Sequence, residues 1–264
     1  MSTLTVTLLQ TGLHWEDPAR NRQEIGEKIR ALTQKTEIVI LPEMFTTGFS
    51  MDAARLAESM EGPSVAWMRQ IAAEKKIILT GSLIIEEEGH HYNRLIWMLP
   101  NGQYGCYDKR HRFAYGGEGE QYTPGLKRLI ASVKGWKVNL QVCYDLRFPV
   151  WARNSLDEQG KPEYDVLVYV ANWPEARIQA WKTLLTARAI ENQCYVIGVN
   201  RVGKDGKGLL YPGESMVVDP LGEVLYQKAG QEDAPTIVLD TGKLEAVREK
   251  LPFLRDADAF HISI

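Results

Sequence analysis

Three apolar runs in this sequence each stop at a side chain that can do chemistry. Ile38-Val39-Ile40-Leu41 passes through Pro42 into Glu43. A carboxylate at the rim of a buried strand is partly desolvated, which raises its pKa and suits a general base near neutral pH. Tyr104-Gly105-Cys106-Tyr107-Asp108 leads into Lys109. An ammonium there can hold a developing oxyanion or lower the pKa of a neighbouring thiol. Val138-Asn139-Leu140-Gln141-Val142 leads into Cys143, with a helix start expected near Phe148-Pro149. A Cys at a strand-to-helix junction sits exposed at the sheet rim, and backbone N–H groups of the next turn are open to an oxyanion. Taken one at a time, Glu43 and Lys109 are better explained as solvated loop residues. Cys143 alone is as readily a small buried hydrophobe.

Other chemistries find less support. The usual base for a Cys nucleophile is His, and the chain holds His14, His90, His91, His111 and His261. His90 and His91 follow three glutamates in what reads as a solvated turn. His111, close to Lys109, either lines the site or serves the structure. A Cys-His-Asn hydrolase thus lacks an obvious histidine. No CxxC, HxxxH or HExxH spacing occurs, so no metal site is expected. No GxGxxG or GxxxxGK[ST] phosphate loop occurs either, and Gly116-Gly117-Glu118-Gly119 reads as a flexible loop.

Composition narrows the class further. The 264 residues carry 31 Lys plus Arg against 34 Asp plus Glu, a net charge of −3, which gives no sign of a nucleic-acid partner. At 44% hydrophobic and 25% charged residues the chain can bury a core, so disorder is not expected. Its longest apolar stretch, residues 77–85, is interrupted by Thr80, Gly81 and Ser82 and falls far short of the ~20 residues a spanning helix needs. No membrane partner is expected. The start lacks a basic region and an apolar core, so it does not read as a signal peptide. Cys106, Cys143 and Cys194 are odd in number and widely spread, a poor disulfide framework, and a reducing cytoplasm is expected. Cys106 and Cys194 lie in apolar contexts and read as structural.

Positioning the three strand ends requires an ordered alternation of elements. Strands are expected over residues 3–10, 38–41, 77–85, 92–99 and 103–108, the last two joined at Asn101-Gly102. A hairpin around Gly135 joins 129–133 to 137–142, and further strands cover 166–171, 195–199, 215–218, 223–226 and 236–239. Asp17-Pro18 opens a helix with Ile25, Ile29 and Leu32 on one stripe. Val65, Met68, Ile71 and Ala72 mark a helix over 63–74, and Ala180, Leu184, Ala187 and Ile190 another over 177–191. With no repeat or linker to divide the chain, one α/β domain over residues 1–264 is expected. The strand count suits two sheets face to face with helices outside; periodicity leaves a single doubly wound sheet open.

Taken together, Glu43, Lys109 and Cys143 in this order resemble the nitrilase (carbon–nitrogen hydrolase) superfamily. The matching stretches are Leu41-Pro42-Glu43-Met44-Phe45 with Thr47-Gly48-Phe49, Tyr107-Asp108-Lys109-Arg110-His111, and Val142-Cys143-Tyr144-Asp145-Leu146-Arg147-Phe148-Pro149. Ala187-Arg188-Ala189-Ile190-Glu191-Asn192-Gln193, Val199-Asn200-Arg201-Val202-Gly203, and Gly213-Glu214-Ser215 leading to Asp219-Pro220-Leu221-Gly222-Glu223 also agree. Within the superfamily the chain looks like the bacterial omega-amidases, to judge from the Cys143–Pro149 wording, Tyr169-Val170-Ala171-Asn172-Trp173-Pro174 and Trp181.

The resemblance implies a four-layer α-β-β-α sandwich, pairing as a homodimer or higher homo-oligomer. It implies hydrolysis of 2-oxoglutaramate or 2-oxosuccinamate with no cofactor. Cys143 would be the nucleophile, Glu43 its base, and Lys109 the oxyanion's partner, helped by the Tyr144 N–H. A further glutamate six residues before a Pro-Gly pair would orient Lys109 and the amide; counting back from Pro124-Gly125 gives Glu118 rather than Glu120. Arg147 is expected to bind the substrate carboxylate, or else to pair with Asp145 or a neighbouring acid. Phe45, Tyr115 and Trp173 are expected to wall the pocket, although Trp173 and Trp181 also suit a core or an interface. Other readings are a different small amide, N-carbamoyl compound or deaminated-glutathione-like substrate, a metal-dependent phosphodiesterase, or a binding module that keeps the fold.

Overall fold

The computed structural model describes residues 2–263. In strand β2 (Ile38–Ile40) successive side chains point to opposite faces of the sheet, and all three residues are buried. Ile38 and Ile40 enter one apolar cluster, whereas Val39 and the following Leu41 enter another. A strand buried on both faces in this way needs a layer above it and a layer below it.

The first sheet has six strands. They are β1 (Thr3–Leu8), β2, β3 (Ile78–Glu87), β4 (His90–Met98), β5 (Tyr104–Asp108) and β13 (Thr236–Asp240), in the order β13-β1-β2-β3-β4-β5. The second has seven: β6 (Leu129–Val133), β7 (Trp136–Val142), β8 (Val166–Ala171), β9 (Tyr195–Asn200), β10 (Val202–Lys204), β11 (Leu210–Val218) and β12 (Val224–Ala229). Its order is β10-β11-β9-β8-β7-β6, with β12 paired to β11. The central pairs β1–β2, β2–β3, β7–β8 and β8–β9 are parallel and the flanking pairs antiparallel.

The sheets pack face to face. Leu4, Val6, Leu8, Ile38 and Ile40 of the first share one core with Val138, Leu140, Val166 and Val168 of the second. Helices α1 (Pro18–Arg30) and α3 (Pro63–Lys75) cover the outer face of the first sheet through Ile25, Ile29, Val65, Met68 and Ile71. Helix α6 (Ile178–Asn192) packs on β9 and β11 of the second through Trp181, Leu185 and Ala189. The fold is the four-layer α-β-β-α sandwich. Short helices α2 (Ala53–Leu56), α4 (Glu118–Gln121) and α5 (Pro149–Ala152) lie in the loops, and α7 (Thr241–Lys250) follows β13.

Two differences from the sequence reading have local causes. Helix α7 was not expected, because only Leu244 and Val247 of its ten residues are buried, too thin a stripe to register. Its start is set by Asp240, whose carboxylate accepts the Gly242 N–H at 2.8 Å. His90 and His91 are not in a loop: the turn is Glu88-Gly89, both at positive φ, and the two histidines open β4 opposite Glu87 and Glu86.

Candidate active site

The parallel strand ends converge where the two sheets meet. Past β2, the Leu41 N–H donates to the Thr80 carbonyl at 2.7 Å and so carries β2 pairing to the threshold of Glu43. Met44 then turns the chain at φ +44°, fixed by its N–H on Ser82 Oγ at 2.8 Å. Past β5, the Lys109 N–H donates to the Asn93 carbonyl, and its own carbonyl accepts from the Gly125 N–H, both at 3.0 Å. Gly125 is obligatory at this close approach: a Cβ there would stand 1.9 Å from the Asp108 carbonyl oxygen. Past β7, Cys143 takes φ +46°, a left-handed conformation rare for a side-chain-bearing residue, and opens the 3₁₀ turn Cys143–Arg147. Strain of this kind clusters at functional sites.

These turns bring four titratable groups together. Lys109 Nζ lies 2.9 Å from Glu43 Oε1 and 2.8 Å from Glu118 Oε2. Asn93 Nδ2 donates to the same two carboxylates at 2.8 and 3.1 Å. The Asn172 N–H donates to Glu43 Oε2 at 2.8 Å, and Asn172 Nδ2 to the Glu43 carbonyl at 2.6 Å. The Phe113 N–H donates to Glu118 Oε2 at 2.5 Å. Glu43, Glu118 and Lys109 are almost wholly removed from solvent.

Cys143 keeps 9% exposure, enough to open onto a cavity, and its Sγ lies 4.0 Å from the Asn172 carbonyl oxygen. Burial and then Glu43 push its thiol well above the ordinary value, against the pull of Lys109. Burial favours a neutral lysine, yet Glu118 and then Glu43 outweigh it and hold the Lys109 ammonium charged. Burial also raises the Glu118 carboxyl, with Lys109 opposing and Glu43 reinforcing. The site thus sets a thiol held protonated beside Glu43 and a fixed cation. Such a set can activate sulfur by taking its proton during attack, rather than by storing a thiolate.

The turn after Cys143 is held from below. Asp145 is fully buried and accepts from the Val142 N–H at 3.0 Å, Tyr107 OH at 2.7 Å and the His111 N–H at 2.9 Å. The His111 ring stacks on Phe148 at 3.8 Å.

A cavity of about 280 Å³ opens over Cys143. Phe49, Phe113, Tyr144, Trp173 and Tyr211 form aromatic walls, and Arg147, Arg177 and Lys207 add positive charge. Of the residues named from sequence, Glu43, Lys109 and Glu118 meet in the buried cluster, and Cys143, Tyr144, Arg147 and Trp173 line the cavity. Tyr115 lines the mouth at 91% exposure. Glu120 faces solvent.

One expectation is corrected. Phe45 does not wall the pocket. It is fully buried in the layer under α3, 5.7 Å from the Trp67 ring, because the reversal at Met44 sends it to the opposite side from Glu43. Phe49, four residues on, stands in the cavity and under the Lys109 ammonium at 5.2 Å. Nor does Arg147 pair with Asp145; its guanidinium lies 5.1 Å over the Trp173 ring.

Asn93, Asn172, Phe113 and Arg177 had no assigned place. Asn172 carried a usable signal, since it ends the apolar run of β8 as Glu43 ends that of β2. Asn93 carried none: its place depends on the β3–β4 register, in which it faces Ile84.

The carbon-nitrogen hydrolase family model matches residues 5–249. The chain belongs to the carbon-nitrogen hydrolase family. It is a hydrolase of carbon–nitrogen bonds other than peptide bonds. It is 42% identical to a Yersinia enterocolitica protein named omega-amidase YafV, over 98% of this chain and 99% of that one. It is 29% identical to a 2-oxoglutaramate amidase of Bacillus subtilis, over 96% of each chain. Among solved structures, the CN-hydrolase superfamily protein XC1258 of Xanthomonas campestris superposes with a TM-score of 0.97 at 45% identity, over the full length of both chains. That structure has an arsenic adduct in its active site. Nit3 of Saccharomyces cerevisiae, a nitrilase-superfamily member, gives 0.81 at 26% identity, over 95% of this chain and 94% of that one.

Proposed function

We propose that this hydrolase is an omega-amidase, which cleaves the terminal amide of 2-oxoglutaramate or 2-oxosuccinamate to the 2-oxo dicarboxylic acid and ammonia. One observation carries the reading. The buried Glu43–Lys109–Glu118 cluster acts on the positive-φ Cys143, and Cys143 lines a cavity that also holds Arg147, which has no acid partner among the described residues. The cluster and its thiol suit an amide, and the arginine suits a carboxylate on the same molecule. The omega-amidase and 2-oxoglutaramate amidase relatives support the same substrate class.

In this mechanism Glu43 takes the thiol proton as Cys143 sulfur bonds to the amide carbon. Lys109 and the Tyr144 N–H hold the oxygen as it becomes negative. Glu43 returns the proton to nitrogen, the carbon–nitrogen bond breaks, and ammonia leaves a thioester on Cys143. Water attacks the thioester with its proton going to Glu43, the carbon–sulfur bond breaks, and Cys143 regains a proton. Glu118 orients Lys109.

Ammonia release from 2-oxoglutaramate, set against a panel of N-carbamoyl and simple amides, tests the reading. The wild type is expected to favour 2-oxoglutaramate by kcat/KM, and Cys143→Ala to release none while still folding. A stronger preference for another panel member refutes the substrate assignment.

The same reading takes residues 1–264 as one domain, supported by the core its two sheets share and the family match over 5–249. A cytoplasmic site is supported by three free cysteines. A homodimer is supported by exposed apolar side chains at Val150, Ile190, Phe253 and Phe260. Among the described residues no helix is long and apolar enough to cross a membrane.

A further inference from the structure

Two guanidiniums share the cavity. Arg147 lies 5.1 Å over the Trp173 ring and Arg177 5.0 Å over the Phe113 ring. Among the described residues neither side chain forms an ion pair or a hydrogen bond. Other arginines withdrawn from solvent have partners: Arg94, Arg128, Arg188 and Arg248 pair with Asp108, Glu163, Glu191 and Asp165, and Arg110, Arg112, Arg153 and Arg201 donate to backbone carbonyls. The acids near the cavity are already engaged. Asp205 accepts the Lys207 and Leu209 N–H groups at 2.9 Å and Tyr211 OH at 3.0 Å. Glu43 and Glu118 are held on Lys109. Two uncompensated cations facing one small space repel each other unless an anion sits between them.

We propose that Arg177 acts with Arg147 as a two-armed anion clamp, which holds the carboxylate and 2-oxo oxygen of the substrate and turns away the α-ammonium of the matching amino-acid amide. The inference rests on the amidase reading and adds a specificity-determining residue to it. A 2-oxo acid presents three acceptor oxygens side by side, more than one planar fork can engage. Replacing the oxo oxygen with an ammonium puts a cation against the second guanidinium with no acid free to relieve it.

Arg177 also holds the wall, but through its backbone: its carbonyl accepts Trp173 Nε1–H at 2.8 Å. Any residue at 177 keeps that bond, so a side-chain substitution removes charge without releasing Trp173.

The test uses ligands that cannot turn over. Wild type and Arg177→Gln are titrated by calorimetry with 2-oxopentanoate and with its amino isostere norvaline, and both proteins are assayed on butyramide, which is uncharged. Arg177→Gln is expected to bind 2-oxopentanoate roughly 10–100-fold more weakly, the loss of a charge-assisted hydrogen bond. Norvaline should bind the wild type roughly tenfold or more below 2-oxopentanoate, and the variant should narrow that gap. Butyramide hydrolysis should hold. The proposal is overturned by 2-oxopentanoate affinity within about twofold of wild type in the variant, by no binding to the wild type, or by an equal loss on butyramide. A wild type that binds 2-oxopentanoate but leaves 2-oxoglutaramate uncut overturns the amidase reading alone.

Discussion

His111 and Asp145 tie together the two chain segments that carry Lys109 and Cys143. His111 Nδ1 lies 2.8 Å from Asp145 Oδ1, and the His111 N–H donates to the same oxygen at 2.9 Å. They stand two positions past Lys109 and Cys143, so the contact fixes the spacing between the proposed oxyanion partner and the proposed nucleophile.

Asp145→Asn should therefore lower kcat more than it raises KM. The amide can satisfy only part of a set of donors that a carboxylate accepts in full. A destabilisation of about 2–3 kcal/mol is expected in urea unfolding, with kcat down roughly tenfold or more from misplacement of Cys143. A rise in KM alone would place the effect in substrate binding instead.

Lys109→Met strands two buried carboxylates. Breaking a buried ion pair from one side costs about 3–5 kcal/mol, so a large loss of stability is expected at pH 7. The deficit should shrink with acid. Burial already lifts the Glu118 carboxyl above its ordinary value, and removing Lys109 lifts it further. The native state then binds a proton that the unfolded state does not, down to the ordinary carboxylate pKa of about 4.3. Urea unfolding at pH 7 and pH 5 reads this; a deficit that grows toward pH 5 would be the wrong sign.

Glu43→Gln separates a base from a thiolate generator. Burial and then Glu43 raise the Cys143 thiol, and Lys109 opposes them. Removing the carboxylate charge should move the thiol's titration to lower pH while hydrolysis falls about 10²–10⁴-fold. Thiolate absorbance at 240 nm, taken as the difference from Glu43→Gln/Cys143→Ala, isolates Cys143 from Cys106, whose pKa burial lifts to about 11. Movement to higher pH would mean that Glu43 stabilises the thiolate.

Gly125→Ala should damage the site from outside it. The added Cβ meets the Asp108 carbonyl oxygen, next to Lys109, and backbone cannot yield as a flexible side chain can. A loss of about 1–3 kcal/mol or more is expected by thermal unfolding, together with lost activity. Gly119→Ala, which faces open space in the neighbouring loop, should do neither.

The layers were legible because they are written in short-range pattern. Ile25 and Ile29 mark a helix stripe, and the Lys134-Gly135 pair turns β6 into β7 at φ +49° and +85°. Glu43, Lys109 and Cys143 were legible as a set because each ends an apolar run. Phe45 was misplaced because a positive φ at Met44 reverses which side the next residue faces, and Met gives no warning of that as Gly does. Asn93 and Arg177 were invisible for a different reason: the first depends on antiparallel register, the second on where α6 begins relative to a strand end.

The most direct measurement is mass spectrometry of the protein quenched during turnover of 2-oxoglutaramate. Expected is an acyl adduct confined to the peptide bearing Cys143, formed together with the first ammonia and discharged as substrate runs out. Ammonia released at full rate with Cys143 never modified, or released unchanged by Cys143→Ala, would mean that no thioester forms and that sulfur is not the nucleophile.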